Sequence, residues 1–97
     1  MIRYYIDPET NEPHIFNHSV EEYEVEDILE HENEDRPGRD GSRVAIGQTR
    51  EGRFLKVIYV PDDSTVRGNK FVVTAYDLIG KPLVAFRRRQ RSKKGHG

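Results

Sequence analysis

A chain of 97 residues, 34% hydrophobic and 34% charged, builds one domain with a lean core and leaves little interior for an enclosed catalytic cavity. The absence of cysteine excludes disulfides and thiolate metal centres. No apolar run approaches the roughly 20 residues needed to cross a bilayer, and MIRYYIDPET lacks a signal-peptide pattern, so no membrane partner and a cytoplasmic location are expected. The formal net charge of −1 conceals a polar distribution: residues 1–40 hold 13 acidic and 3 basic side chains, residues 41–97 hold 4 and 13. Two explanations stand open: a nucleic-acid or acidic-protein partner on the C-terminal half, or two halves that pack and neutralise each other.

In chain order, residues 1–6 alternate Ile2, Tyr4 and Ile6 as a short strand, stopped by Asp7-Pro8 and a polar loop over 9–13. Ser19-Val20-Glu21-Glu22 has the form of a capping box and predicts an acidic helix over 20–31, with Val25, Ile28 and Leu29 as its buried stripe and Tyr23 off it. Residues 33–42 (NEDRPGRDGS) read as a polar loop. Strands are expected over 43–50 and 53–60, joined by a two-residue Glu51-Gly52 hairpin turn, and over 70–76 after a second polar connection. Gly80-Lys81-Pro82 starts a basic helix over 82–91 that buries Leu83 and Phe86. The expected fold is α+β in the order β-α-β-β-β-α, an antiparallel sheet of three or four strands with an acidic N-terminal and a basic C-terminal helix. One domain over 1–91 is followed by a basic tail over 92–97 that frays into solvent.

The candidate chemistry is sparse. His14 and His18 are four apart but precede the helix, so helical ligand geometry is not secured, and no His-Glu-x-x-His run is present. No metal and no cofactor is expected. His18 taken alone reads more readily as packing at the helix start than as a catalyst. The serines lack a nucleophile-elbow context and the glycines fit no nucleotide-binding fingerprint. There remains a cationic and phenolic set on the later strands and the final helix, of the kind that RNA contact uses: Arg43, Arg53, Lys56, Tyr59, Lys70, Tyr76, Lys81, Arg87, Arg88 and Arg89. For any one of these, solubility of a small sheet is an equally good explanation.

Three stretches resemble a known family. Asn17-His18-Ser19 before a Glu-rich helix with Val25 is similar to the Lys-His-Gly lead-in of BrnT-like toxins. The run from Arg43 to Tyr59 is similar to their pattern R-x-x-x-G-x-T-x-x-G-R-x-L-x-V-x-Y, best from Gly47 onward. Phe71 to Tyr76 falls where they carry the last core strand, and a basic terminal helix follows. A related group of small domains shares the strand-turn-strand motif. The resemblance implies a RelE/ParE-like fold and the toxin of a type II toxin–antitoxin pair, a metal-independent endoribonuclease with RNA as substrate and an antitoxin as partner. Where those toxins have an Ile-Ser-Ala-Arg strand end, this chain has Val73-Thr74-Ala75-Tyr76, and Phe86-Arg87-Arg88 replaces the usual Glu-Arg of the helix.

On that basis Arg43, Arg53, Lys56 and Arg89 are expected to bind RNA. Lys81, Arg87 and Arg88 are expected to stabilise the transition state, and Tyr76 or His18 to transfer a proton. The alternative is a non-catalytic module of the same fold that binds nucleic acid or an acidic protein. A third reading is a subunit whose acidic helix pairs with the basic face of a neighbour in an oligomer.

Overall fold

The computed structural model describes residues 2–62 and 68–95. Its architecture is α+β. The strands are β1 (Ile2–Tyr4), β2 (Ile6–Asp7), β3 (Glu12–Pro13), β4 (Glu34–Pro37), β5 (Arg43–Gln48), β6 (Phe54–Asp62) and β7 (Asn69–Asp77). The helices are α1 (Glu22–Glu30) and α2 (Gly80–Gly95), with a 3₁₀ turn over His14–His18. Five strands form one sheet in the order β1-β7-β6-β5-β4, and β2 and β3 make a small ribbon beside it.

The period of two along the strands assigns two faces. Ala45, Leu55, Val57, Tyr59, Val72 and Ala75 meet Val25, Ile28 and Leu29 of α1, together with Ile15 and Val20, in the main core. Ile46 on the opposite face forms a second, smaller cluster with Leu78 and Phe86, flanked by Val44, Phe54 and Leu83. Hence α1 and α2 lie on opposite faces. The stripe expected on α1 is buried as read, and Tyr23 is exposed.

Four local expectations are corrected. The sheet is mixed and not purely antiparallel, because β1 runs parallel to β7 with Ile2 opposite Lys70 and Tyr4 opposite Val72. Glu34–Pro37, read as loop, is an edge strand antiparallel to β5; its polar sequence gives no strand signal, and charge is what an exposed edge favours. The capping box sits two residues later than expected. Ser19 takes a left-handed conformation (φ 57°) at the end of the 3₁₀ turn, and the Glu24 carboxylate instead accepts the Glu21 amide at 3.0 Å. The β5–β6 hairpin is closed by Thr49 and Arg53 around Arg50-Glu51-Gly52, with Gly52 at φ 100°, so its loop has three residues and not two.

The basic helix runs from Gly80 to Gly95, so it extends beyond Arg91 into the segment expected to fray; His96 and Gly97 lie outside the described residues. No helix among the described residues is long and apolar enough to cross a membrane.

Attachment of α2 rests on Phe86 and on Arg89, whose Nε and Nη2 donate to the two Glu34 oxygens at 2.6 and 2.9 Å. Phe86→Ala should therefore release α2 first: amide exchange over 80–95 should accelerate while β5–β7 stay protected, at a cost of about 3 kcal/mol. The Arg89 hydrogen bonds hold the Glu34 carboxyl below its ordinary value. A depressed carboxyl contributes stability above its unfolded value, near 4.3, and loses it as pH falls through the folded value. Arg89→Met should accordingly melt below the wild type at pH 7, and that gap should close as the pH is lowered towards 3.

Candidate functional site

A β-bulge shapes the region next to the 3₁₀ turn. Ile58 pairs with Thr74 and Tyr59 pairs with Val72, leaving Val73 with no opposite number on β6. The inserted residue keeps Val72 and Ala75 on the α1 face although they are three apart, and turns Thr74 and Tyr76 to the other. Chain pairing with β7 ends near Tyr5, whose amide donates to the Val72 carbonyl at 2.8 Å, and the 3₁₀ turn packs alongside β7 from there. Ile15 points into the main core, while His14 and His18 lie on the outer side.

The result is an open cleft of about 510 Å³ lined by Tyr5, His14, His18, Val73, Thr74 and Tyr76. The His14 and His18 rings are 5.4 Å apart between centroids, His18 and Tyr76 5.8 Å, and Tyr5 and His14 6.1 Å. Lys56 places its Nζ 5.8 Å from the Tyr76 ring centre. Thr74 lines the cleft, and its Oγ1 is buried with no hydrogen-bond partner among the described residues.

His14 is held from behind. Asp7 accepts the Glu9 amide at 2.8 Å and the Asn17 Nδ2 at 2.7 Å, and its Oδ2 lies 3.1 Å from His14 Nδ1. These partners, the Glu9 amide foremost, hold the Asp7 carboxyl below its ordinary value. An ionised carboxylate only accepts, so it assigns the ring proton to Nδ1 and leaves Nε2 as the free lone pair. The Asn17 Nδ2 contact to the same nitrogen, at 3.3 Å, is then a proximity of two donors.

His18 is held by Arg53. The Arg53 Nη2 donates to the His18 carbonyl at 3.4 Å, and Nη1 donates to the Ser19 carbonyl at 2.8 Å and to Glu24 Oε1 at 2.9 Å. Its Nε donates to Asp77 Oδ1 at 2.7 Å, one residue beyond Tyr76. Both anions raise the Arg53 pKa, Asp77 foremost, and Arg53 in turn holds Asp77 below its ordinary value.

The residues expected from sequence thus separate. His18, Tyr76 and Lys56 come together at the cleft. Arg87 joins them at one remove, its Cζ 5.7 Å from the centre of Phe54, which shares the outer face of β6 with Lys56. Lys81 and Arg88 are exposed on α2 and do not line the cleft. Arg43, Arg53 and Arg89 are engaged inside the molecule, with Asp35, with Glu24 and Asp77, and with Glu34. Sequence reasoning missed Asp7, Asn17, Tyr5 and Thr74 and gave His14 no role. The one available signal was Asp7 itself, an Asx-turn residue that accepts its own i+2 amide.

No family model matches the chain, and neither a curated protein nor a solved structure does.

Arg53→Met removes every tie to the His18 and Ser19 carbonyls and leaves Glu24, a buried side chain, without its cation. It should cost about 2–3 kcal/mol. The nuclear Overhauser contact between the His18 and Tyr76 rings should vanish while those among Leu55, Val57 and Ile28 persist.

Proposed function

We propose that the protein is a metal-independent endoribonuclease, in the setting that the resemblance to BrnT-like toxins implies, the toxin of a toxin–antitoxin pair. One observation carries the reading: an imidazole oriented by a buried carboxylate stands 5.4 Å from a second imidazole in an open cleft, with a lysine and a tyrosine beside them.

Cleavage of RNA by its own 2′-hydroxyl needs a base, an acid and a cation. His14 Nε2 takes the 2′-hydroxyl proton, and Asp7 steadies the imidazolium that forms, as a carboxylate does for histidine in hydrolytic triads. The O2′–P bond forms as the P–O5′ bond breaks. His18 donates its proton to the departing 5′-oxygen, giving a 2′,3′-cyclic phosphate and a 5′-hydroxyl. Lys56, its Nζ 5.8 Å from the Tyr76 ring centre, supplies the cation for the phosphorane charge. This reading retains His18, Tyr76 and Lys56 from the sequence expectation and assigns the base to His14.

The surface beyond the cleft also supports a non-catalytic reading. Cations and rings alternate from Arg87 and Phe54 through Lys56 and Tyr76 to the two histidines, an arrangement that suits a single strand whether or not it is cut.

End-labelled RNA incubated with the purified protein in EDTA should yield products ending in 2′,3′-cyclic phosphate. His14→Ala and His18→Ala should each slow cleavage about 10²–10⁴-fold, and Asp7→Asn at least about tenfold. Induced expression should arrest bacterial growth, and the double histidine variant should relieve it. Salt-sensitive RNA retention without products selects the binding module, whereas neither binding nor cleavage removes both readings.

A further inference from the structure

Helix α2 carries no acidic residue, and its cations divide between two sides. Arg89 turns towards the sheet and grips Glu34, on the side of the helix that seats Leu83, Phe86 and Gln90. Lys81, Val84, Arg88 and Arg91 follow one another at intervals of three or four residues and so share the outward face, with Arg87 one turn before Arg91 at its border. All five are exposed, Val84 at 54%. Unlike Arg89, none of these cations meets a carboxylate among the described residues. Like charges three and four apart weaken a helix, so this face gains from an anion that another molecule brings.

The stripe is continuous with the cleft. Lys56 stands opposite Tyr76 in the β6–β7 register, and Phe54 lies two residues along β6 on the same face. The Arg87 Cζ is 5.7 Å from the Phe54 ring centre and carries the path onto the helix. From Lys81 to Arg91 the stripe runs about 15 Å, at a rise of about 1.5 Å per residue, enough for several phosphates of one strand. Arginine dominates it, and a planar guanidinium matches a pair of phosphate oxygens. Charge alone would suit an acidic protein equally well. The unbroken path from the cleft is what selects RNA.

We infer that the outward face of α2 anchors the sugar–phosphate backbone of single-stranded RNA beyond the bond held at the histidine cleft, an inference that rests on reading the cleft as the place where RNA is held. It grips by charge, without regard to sequence. Each phosphate neutralised on a single strand adds about 0.7 to the steepness with which log affinity falls against log salt. Lys81, Arg88 and Arg91 together then account for about 2 of that slope.

The test is fluorescence anisotropy of the full chain with labelled 2′-deoxy oligonucleotides, which cannot form the cyclic phosphate: a trinucleotide, which occupies the cleft alone, and a dodecanucleotide, which reaches α2. Lys81→Gln combined with Arg88→Gln and Arg91→Gln should weaken the dodecanucleotide at least about tenfold at low salt and lower its salt slope by about 2. Circular dichroism should be unchanged, and the trinucleotide should shift less than about twofold. Val84→Lys adds a cation in the middle of the stripe, so it should tighten the dodecanucleotide and raise the slope by about 0.7. That gain decides the matter if the triple variant misfolds. An unchanged slope in a folded triple variant overturns the inference in favour of an acidic protein, even if the wild type cleaves RNA. Unchanged or weaker binding by Val84→Lys overturns it too, as does a wild type that fails to bind the dodecanucleotide at low salt. A slope that falls as stated, without RNA cleavage by the wild type, overturns the proposed chemistry and leaves the anchoring face standing.

Discussion

The outer site depends on the Arg53 guanidinium more than on any other single group. It reaches the His18 and Ser19 carbonyls, a carboxylate on α1 and a carboxylate at the end of β7. The 3₁₀ turn buries only Ile15 and is tied to Asp7 through His14 and Asn17, but its His18 end is tied across the molecule by Arg53. Without that clamp the His18 end would lose its fixed relation to Tyr76 and Lys56. Arg is suited to this task because its planar fork satisfies several acceptors at once at fixed angles, which lysine cannot do. The same residue closes the hairpin, since the Arg53 amide donates to Thr49 Oγ1 at 3.0 Å, so sheet, helix and candidate site share one node.

Part of the charge asymmetry between the two halves of the chain is consumed in this way. Arg43 pairs with Asp35, Arg50 with Asp27, Arg53 with Glu24 and Arg89 with Glu34, in each case a cation of the second half with an anion of the first. Tyr59 joins the Arg43–Asp35 pair by donating its hydroxyl to Asp35, and burial with that bond pushes its pKa up to about 12. Among the second half's cations, Lys81, Arg87, Arg88, Arg91 and Lys93 face solvent on α2. A count of charges along the chain could not distinguish these two populations. Burial of the partner carboxylates does.

Much of the fold was legible because it follows from periodicity. The 3.6 spacing of Val25, Ile28 and Leu29 and the alternation along β6 each name a buried face, and tertiary packing uses those faces. What was not legible depends on long-range partners. Strand β4 carries three charges in four residues and exists because β5 offers an edge and because Arg43 and Arg89 neutralise its acids. The parallel pairing of β1 with β7 joins segments about seventy residues apart in sequence, and nothing local announces it. The cleft was half legible: His18, Tyr76 and Lys56 were named for their chemistry, whereas Asp7 and His14 gain theirs only when the ribbon of β2 and β3 folds one against the other.

The central claim is that the outer cleft held by Arg53 is where RNA meets the protein, with His14 in the Nδ1–H tautomer. Long-range ¹H–¹⁵N correlation of the histidine rings, recorded before and after adding a 2′-deoxy oligonucleotide that cannot be cleaved, addresses both parts. The account predicts a protonated Nδ1 on His14 beside Asp7, and shifts on binding that are largest at His14, His18 and Tyr76. An Nε2–H tautomer for His14, or shifts confined to the far end of the sheet around Arg43 and Tyr59, would contradict it.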